Sequence, residues 1–220
     1  MQTIFLAICS TFLLLSLPPE VARFEVREAN TLLLAFLIVQ VVTVTYLTSA
    51  FASSELALEG EKGIPDLVLS AFSPRAIASG KAQSAAGYAL YLVAIALPLV
   101  VLAAGLRAAP VSSVALAGVV TVAVAAAAGT WGAWLGGRFS SDFTRSLVHW
   151  TLLAAVFVGA SMLPQPWSLA SPLRLIDLVV RSGWTWAVGV VVAVYLIAAA
   201  AGAVLIAAHV RSSRTEAEEA

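Results

Sequence analysis

Residue types that hold metals or activate nucleophiles are scarce in this chain. Its 220 residues include one cysteine, Cys9, and two histidines, His149 and His209. A transition-metal site needs three or four such ligands converging. No cluster of His, Cys, Asp and Glu supplies them, so no metal is expected. The apolar runs hold no paired carboxylates for acid–base work and no Ser–His or Ser–Lys spacing that marks a nucleophile with its base. The chain therefore reads as non-catalytic. Cys9 alone cannot close an internal disulfide and reads as a small buried apolar residue. His149 reads as a hydrogen-bonded or snorkelling ring near a membrane surface. Lys+Arg and Asp+Glu stand at 12 each, a balance that offers no basic footprint for nucleic acid. What remains for chemistry is a set of charged clusters and a few polar residues inside apolar runs.

Membrane helices are the elements that must position those residues. The chain is 61% hydrophobic and 11% charged, against about 25% charged in a soluble domain. It lacks the polar surface to coat a water-soluble globule, which excludes a soluble enzyme, a nucleic-acid binder and a disordered protein. Its charges fall in narrow clusters that leave Met1–Pro19, Ala29–Ser54, Ala82–Leu106, Ala108–Gly137, Ser146–Leu173 and Ser182–Ala208 uncharged. Each run approaches or exceeds the roughly 20 residues that a helix needs to cross the hydrocarbon core. Apolar residues occupy every face, and none of the runs alternates as a membrane β-strand would. The expected fold is all-α and integral to the membrane, a single domain over residues 1–220 with six spans near 2–18, 30–53, 82–106, 110–136, 146–164 and 183–208. The first run has no basic lead, and Ser16-Leu17-Pro18-Pro19-Glu20 is not a small-x-small cleavage site. It reads as a true span and not as a signal peptide.

An even number of spans puts both termini on one side. With that side inside, the inner loops hold Lys62, Arg75, Lys81, Arg138, Arg145, Arg211 and Arg214, and the outer ones Arg23, Arg27, Arg107, Arg174 and Arg181. Seven against five is a positive-inside bias that puts the termini in the cytoplasm. Trp167, Trp184 and Trp186 then anchor the outer interface, and Trp134 and Trp150 lie nearer the inner one. Two stretches are long without spanning, residues 54–81 inside and 165–181 outside, and long segments in compact folds usually carry a function.

In the inner stretch, Ser54 reads as an N-cap followed by Glu55 and Glu59. Gly60, Gly63 and Pro65 then break the backbone. From Asp66 the apolar residues Leu67, Val68, Leu69 and Phe72 make a short amphipathic helix, and Ser73-Pro74 opens another helix that runs through Lys81 into span three. Such a segment lies on lipid or docks in a groove of a soluble partner. The residues Glu59-Gly60-Glu61-Lys62-Gly63, then Asp66-Leu67-Val68-Leu69, Ser73-Pro74-Arg75 and Gly80-Lys81 resemble the segment after span two in permease subunits of the type-2 ABC exporter family. Ser171-Pro172-Leu173-Arg174-Leu175-Ile176-Asp177 is similar to that family's outer segment before span six. The six-span layout is shared along nearly the whole chain, while the residue match is confined to these two segments. Ile64-Pro65 stand where the family commonly has Thr and Leu, and Ala71 where it has Pro. The sequence also starts directly on its first span, where the family often has an amphipathic helix.

The resemblance implies a permease that takes mechanical work from a separate ABC ATPase subunit. No G-x-x-x-x-G-K-[ST] loop is present to hold ATP phosphates, so ATP and Mg would sit on that partner and no cofactor on this chain. Glu55, Glu59, Glu61, Lys62, Gly63, Asp66 and Arg75 would be the polar side of the coupling contact, and Leu67, Leu69 and Phe72 its apolar anchor. A second permease subunit, identical or related, would complete a path for a lipid, lipid-linked glycan, drug-like molecule or peptide. A haem-exporter permease of cytochrome c maturation is similar in length and layout and is one alternative; a non-transporting membrane scaffold or assembly subunit is another.

No Asp, Glu, Lys or Arg lies deep in a span, unlike ion-coupled transporters. Gln40, Thr43 and Thr48 in span two are candidates to line a path, with interhelical hydrogen bonding as the competing role. Val122–Gly129, with Gly118 and Gly132, reads as a packing surface. Leu173, Leu175, Ile176, Val179 and Val180 face away from Arg174, Asp177 and Arg181 in an outer amphipathic helix. The resemblance makes Pro172, Leu175, Ile176 and Asp177 an outer gate. The tail, residues 209–220, is expected to fray in solvent. The protein is expected in the cell (inner) membrane.

Overall fold

The computed structural model describes residues 7, 10–11, 26–61, 72–107, 109–139 and 141–219, with side chains described at 7, 10–11, 31–55, 72–105, 109–139 and 141–212. Ala7, Ser10 and Thr11 are helical; the rest of the expected first span lies outside the described residues. Helix α1 covers Val26–Glu61, α2 Pro74–Arg107, α3 Val111–Arg138, α4 Asp142–Ala154, α5 Pro172–Ser182 and α6 Trp186–Glu219. Helix α4 is prolonged by a π turn, Ala155–Gly159, and a 3-10 turn, Ala160–Met162. Among the described residues, five helical segments are long and apolar enough to cross a membrane: Thr31–Glu55, Pro74–Gly105, Val111–Arg138, Asp142–Met162 and Trp186–Ser212.

The helix ends differ from the expectations where local propensity outlasts the apolar run. Ser54 does not cap a new helix. Helix α1 passes through it unbroken, and its hydroxyl donates to the Phe51 carbonyl one turn back at 2.9 Å, the usual way a serine is accommodated inside a helix. Nothing from Glu55 to Glu59 breaks a helix, since Leu, Ala and Glu are all good formers. Helix α1 therefore runs 36 residues, about 54 Å at 1.5 Å per residue, well beyond its apolar stretch. The Ser73 hydroxyl accepts the Ala76 N–H at 3.2 Å, and Pro74 fills the first helical position, where no N–H is needed. Helix α2 thus starts where Ser73-Pro74 indicated and continues unbroken into the apolar run. Helix α6 likewise carries on through the charged tail to Glu219.

Helix α3 is the hub and touches each of the other five helices, α1 most extensively. Its small residues make that possible. A Cβ on Gly129 would come within 2.7 Å of Ala85 Cβ on α2, and one on Gly132 within 2.5 Å of the Ser49 carbonyl oxygen on α1. A Cβ on Gly136 would overlap the Ser53 carbonyl oxygen, and one on Gly202 of α6 would come within 2.8 Å of Thr130 Oγ1. Backbone therefore meets backbone along the α1–α3 seam, where close packing replaces the hydrophobic driving force that lipid does not supply.

Helix α5 closes one end of the bundle. Leu175, Ile176, Val179 and Val180 are buried in the same core as Leu32, Leu33 and Phe36 of α1, Ala117 and Val120 of α3 and Val188 of α6. Its apolar face is packed on the other helices of the bundle. Two hydrogen bonds hold it there. The Ser171 hydroxyl donates to the Phe157 carbonyl at 2.7 Å, near the irregular end of α4, and the Tyr195 hydroxyl of α6 donates to the Ala170 carbonyl. Gly183 ends the helix at φ +66°, a backbone state that side chains disfavour. Asp177 and Arg181 pair at 2.7 Å on the outward face.

Candidate functional site

The alternating run of the helices brings the junctions α1–α2 and α3–α4 and the end of α6 to one face of the bundle, and α5 to the opposite one. On the first face Glu55 of α1 and Lys81 of α2 form an ion pair at 3.5 Å. Glu59 and Glu61 fall in the last turns of α1. Phe72 and Arg75 are exposed where the chain enters α2. Lys62, Gly63, Asp66, Leu67 and Leu69 lie outside the described residues. The feet of α1 and α2 are thus joined by a charge pair.

Gln40 is buried, Thr43 half-buried and Thr48 fully buried. The Thr48 methyl lies against Gly129 of α3, so Thr48 belongs to the seam. On the opposite face Pro172, Leu175 and Ile176 point into the bundle and are buried, whereas Asp177 is half-buried and paired with Arg181.

A second constellation was not legible in the sequence. The Ser49 hydroxyl of α1 donates to the Ala128 carbonyl of α3 at 2.8 Å and lies 3.2 Å from Nδ1 of His149 on α4. A serine hydroxyl has one proton. That proton goes to Ala128, so the ring must donate through Nδ1–H and Ser49 Oγ accepts. The Ser–His pair that no spacing announced exists, but in this arrangement it orients the ring and does not activate the serine. Tyr46 meets the ring edge-on at 5.8 Å and stacks on Trp150 at 4.6 Å. His149 is only 6% exposed, and its Nε2 has no hydrogen-bond partner among the described residues.

This histidine stands in the wall of a half-open cavity of about 270 Å³ between α1, α3, α4 and α6. Val124, Leu152, Val156, Phe157 and Trp131 are among its apolar lining, and Thr45, Ser49, His149 and Tyr195 are its polar members. The buried hydroxyl of Thr45 also has no partner among the described residues. Ser49 and His149 are 100 positions apart, so no local spacing could have linked them. The available signal was indirect: Thr45 and Ser49 lie four apart on one helical face, and Gly129, Gly132 and Gly136 mark where α3 admits a close neighbour.

No group of His, Cys, Asp and Glu among the described residues could hold a metal ion. Comparison with protein-family models, with curated proteins and with solved structures gives no match in any of the three.

Proposed function

We propose that the chain is the permease subunit of an ATP-driven exporter of the type-2 ABC kind. It would sit in the cell (inner) membrane with both termini in the cytoplasm, pair with a second permease subunit, and move an amphipathic or hydrophobic cargo. The reading rests on the residue pattern of positions 59–81 and on one structural observation. Helices α1 and α2 each run unbroken from the apolar region into the segment between them, and the Glu55–Lys81 pair ties their feet together. A push on that segment by a nucleotide-binding partner would be delivered to both helices at once, because a continuous helix transmits displacement along its axis, whereas a hinge at Ser54 would have absorbed it. The packed α5 at the opposite end is then the element that such a displacement would have to loosen for cargo to leave.

The test uses the full chain in its own membranes. In a Cys9→Ala background, a single crosslinking cysteine at Glu61 or Asp66 is expected to capture a chain with a G-x-x-x-x-G-K-[ST] motif. Glu61→Ala with Asp66→Ala is expected to lower the ATP turnover of the co-purified complex. Capture of no nucleotide-binding chain, or turnover indifferent to the double substitution, overturns the reading.

A further inference from the structure

We propose that the cavity between α1, α3, α4 and α6 is a slot for one acyl chain of a membrane phospholipid, drawn from the leaflet on the side of the α3–α4 junction. The inference is independent of the exporter reading. It begins with what the wall cannot offer. The Ser49 hydroxyl donates to the Ala128 carbonyl and accepts from Nδ1 of His149. The Trp131 indole N–H donates to the Ala198 carbonyl at 3.0 Å, and the Tyr195 hydroxyl to the Ala170 carbonyl. Thr45 Oγ1 and His149 Nε2 have essentially no accessible surface. The polar members of the wall therefore leave no donor for a guest. A water molecule needs roughly two to four polar partners and meets no free donor here. A charged or hydrogen-bonding group would be desolvated without compensation. Hydrocarbon loses nothing in this cavity, and it restores the dispersion contacts that a void forfeits.

Shape narrows the hydrocarbon to a chain. The lining runs from Val124 to Leu135 on α3 and from His149 to Phe157 on α4, about 16 Å and about 12 Å along the two axes at 1.5 Å per residue. A volume of about 270 Å³ over that length leaves a mean section of roughly 20 Å², one carbon chain wide at van der Waals contact and too slender for a fused-ring body. The slot follows helices that cross the membrane, so it lies parallel to the lipid chains within the ordinary helix tilt. Its two ends differ. Leu135 is one turn from Arg138 at the end of α3, and His149 is one turn from Arg145 on α4. The slot thus begins about 5 Å from the charged junction and runs toward the middle of the bundle. A phospholipid with its phosphate beside the exposed Arg138 and beside Arg145, which also pairs with Asp142, would drop a chain into it from that end. Leu152 and Val156 are exposed at the rim, and among the described residues α4 and α6 scarcely touch. The side between those two helices is the mouth through which the chain enters from the bilayer.

The experiment places the full-length protein in nanodiscs that contain phosphatidylglycerol with a photoactivatable diazirine on one acyl chain, near the ester in one preparation and near the methyl end in another. Labelled residues are mapped by mass spectrometry. The expected result is labelling of Ala127, Ala128 and Trp131, which line the slot and are at most half-exposed. The diazirine near the ester should label toward Leu135 and His149, and the one near the methyl end toward Val124 and Phe157. Ala198→Phe, which fills the slot, should lose the labelling of Ala127 and Ala128 while the exposed Val204 of α6 is labelled as before. Labelling confined to outward side chains such as Val204 overturns the proposal, and is the outcome if the expected first span, residues 2–18, or a second copy of the chain fills the slot instead. A reversed gradient between the two diazirine positions overturns it as well. Both readings come from the wild-type protein, so they decide the matter even if Ala198→Phe fails to fold.

Discussion

At Gly132 and Gly136 the α3 backbone lies so close to α1 that a single methyl group has nowhere to go, because the obstacles include the backbone carbonyl oxygens of Ser49 and Ser53, with the Ser49 hydroxyl oxygen equally close at Gly132. Gly132→Ala and Gly136→Ala are therefore expected to lower stability by roughly 1–3 kcal/mol each, the usual cost of overpacking. Gly118→Ala meets only Val93 Cγ1 at 3.6 Å, and Gly87→Ala meets nothing within 4 Å; both should be neutral or slightly stabilising. Thermal unfolding in detergent, read side by side for the four variants, checks the pattern. Equal melting temperatures for Gly132→Ala and Gly87→Ala would show that the seam is looser than described. The same seam positions Ser49 and so aims His149, which is why packing and the wall of the cavity are one problem at this scale.

At the scale of elements, α5 shows how a short amphipathic helix is held against a bundle. Its apolar side chains would be content in lipid or in a protein interior, so burial does not choose between them. The choice is made by the Ser171 bond to the Phe157 carbonyl, the Tyr195 bond to the Ala170 carbonyl and the sharp exit at Gly183. Gly183→Ala should cost about 1–3 kcal/mol, the price of holding a side-chain-bearing residue in that backbone region, and Ser171→Ala about 1 kcal/mol for one net hydrogen bond. Protection of the α5 amides from hydrogen exchange should fall in both variants while α3 stays protected. Uniform loss across the bundle would mean that α5 is part of the global folding unit and not a separately held cap. The amphipathic pattern of α5 was plain in the sequence, since Leu175, Ile176, Val179 and Val180 fall on one helical face. Which apolar medium that face would meet was not, because lipid and protein interior look alike to a hydrophobic pattern.

At the scale of the whole molecule, Ser112 and Ser141 are exposed near opposite ends of α3, and their sidedness follows from the proposed orientation. In a Cys9→Ala background, Ser112→Cys should react with a membrane-impermeant maleimide on intact cells, and Ser141→Cys only after permeabilisation. The reverse pattern would turn the Glu55–Lys81 face to the outside and remove the exporter reading.

Five of the expected apolar helices were legible from residue types alone: the segments at 31–55, 74–105, 111–138, 142–162 and 186–212 follow the uncharged runs closely. Their legibility has a simple cause. A backbone in lipid must satisfy its own hydrogen bonds, so a long uncharged run has little choice but helix, and that choice is local. Where α1 and α6 end was harder to read, because outside the bilayer a helix stops only at a breaker, and Ser54 is not one inside a run of good formers. The joining of Glu55 to Lys81, the burial of Thr48 at Gly129 and above all the meeting of Ser49 with His149 were decided only when α1, α2 and α4 packed on α3. Contacts between residues so distant in the chain depend on helix rotation and crossing, which local composition does not encode and which close packing along the glycine seam determines.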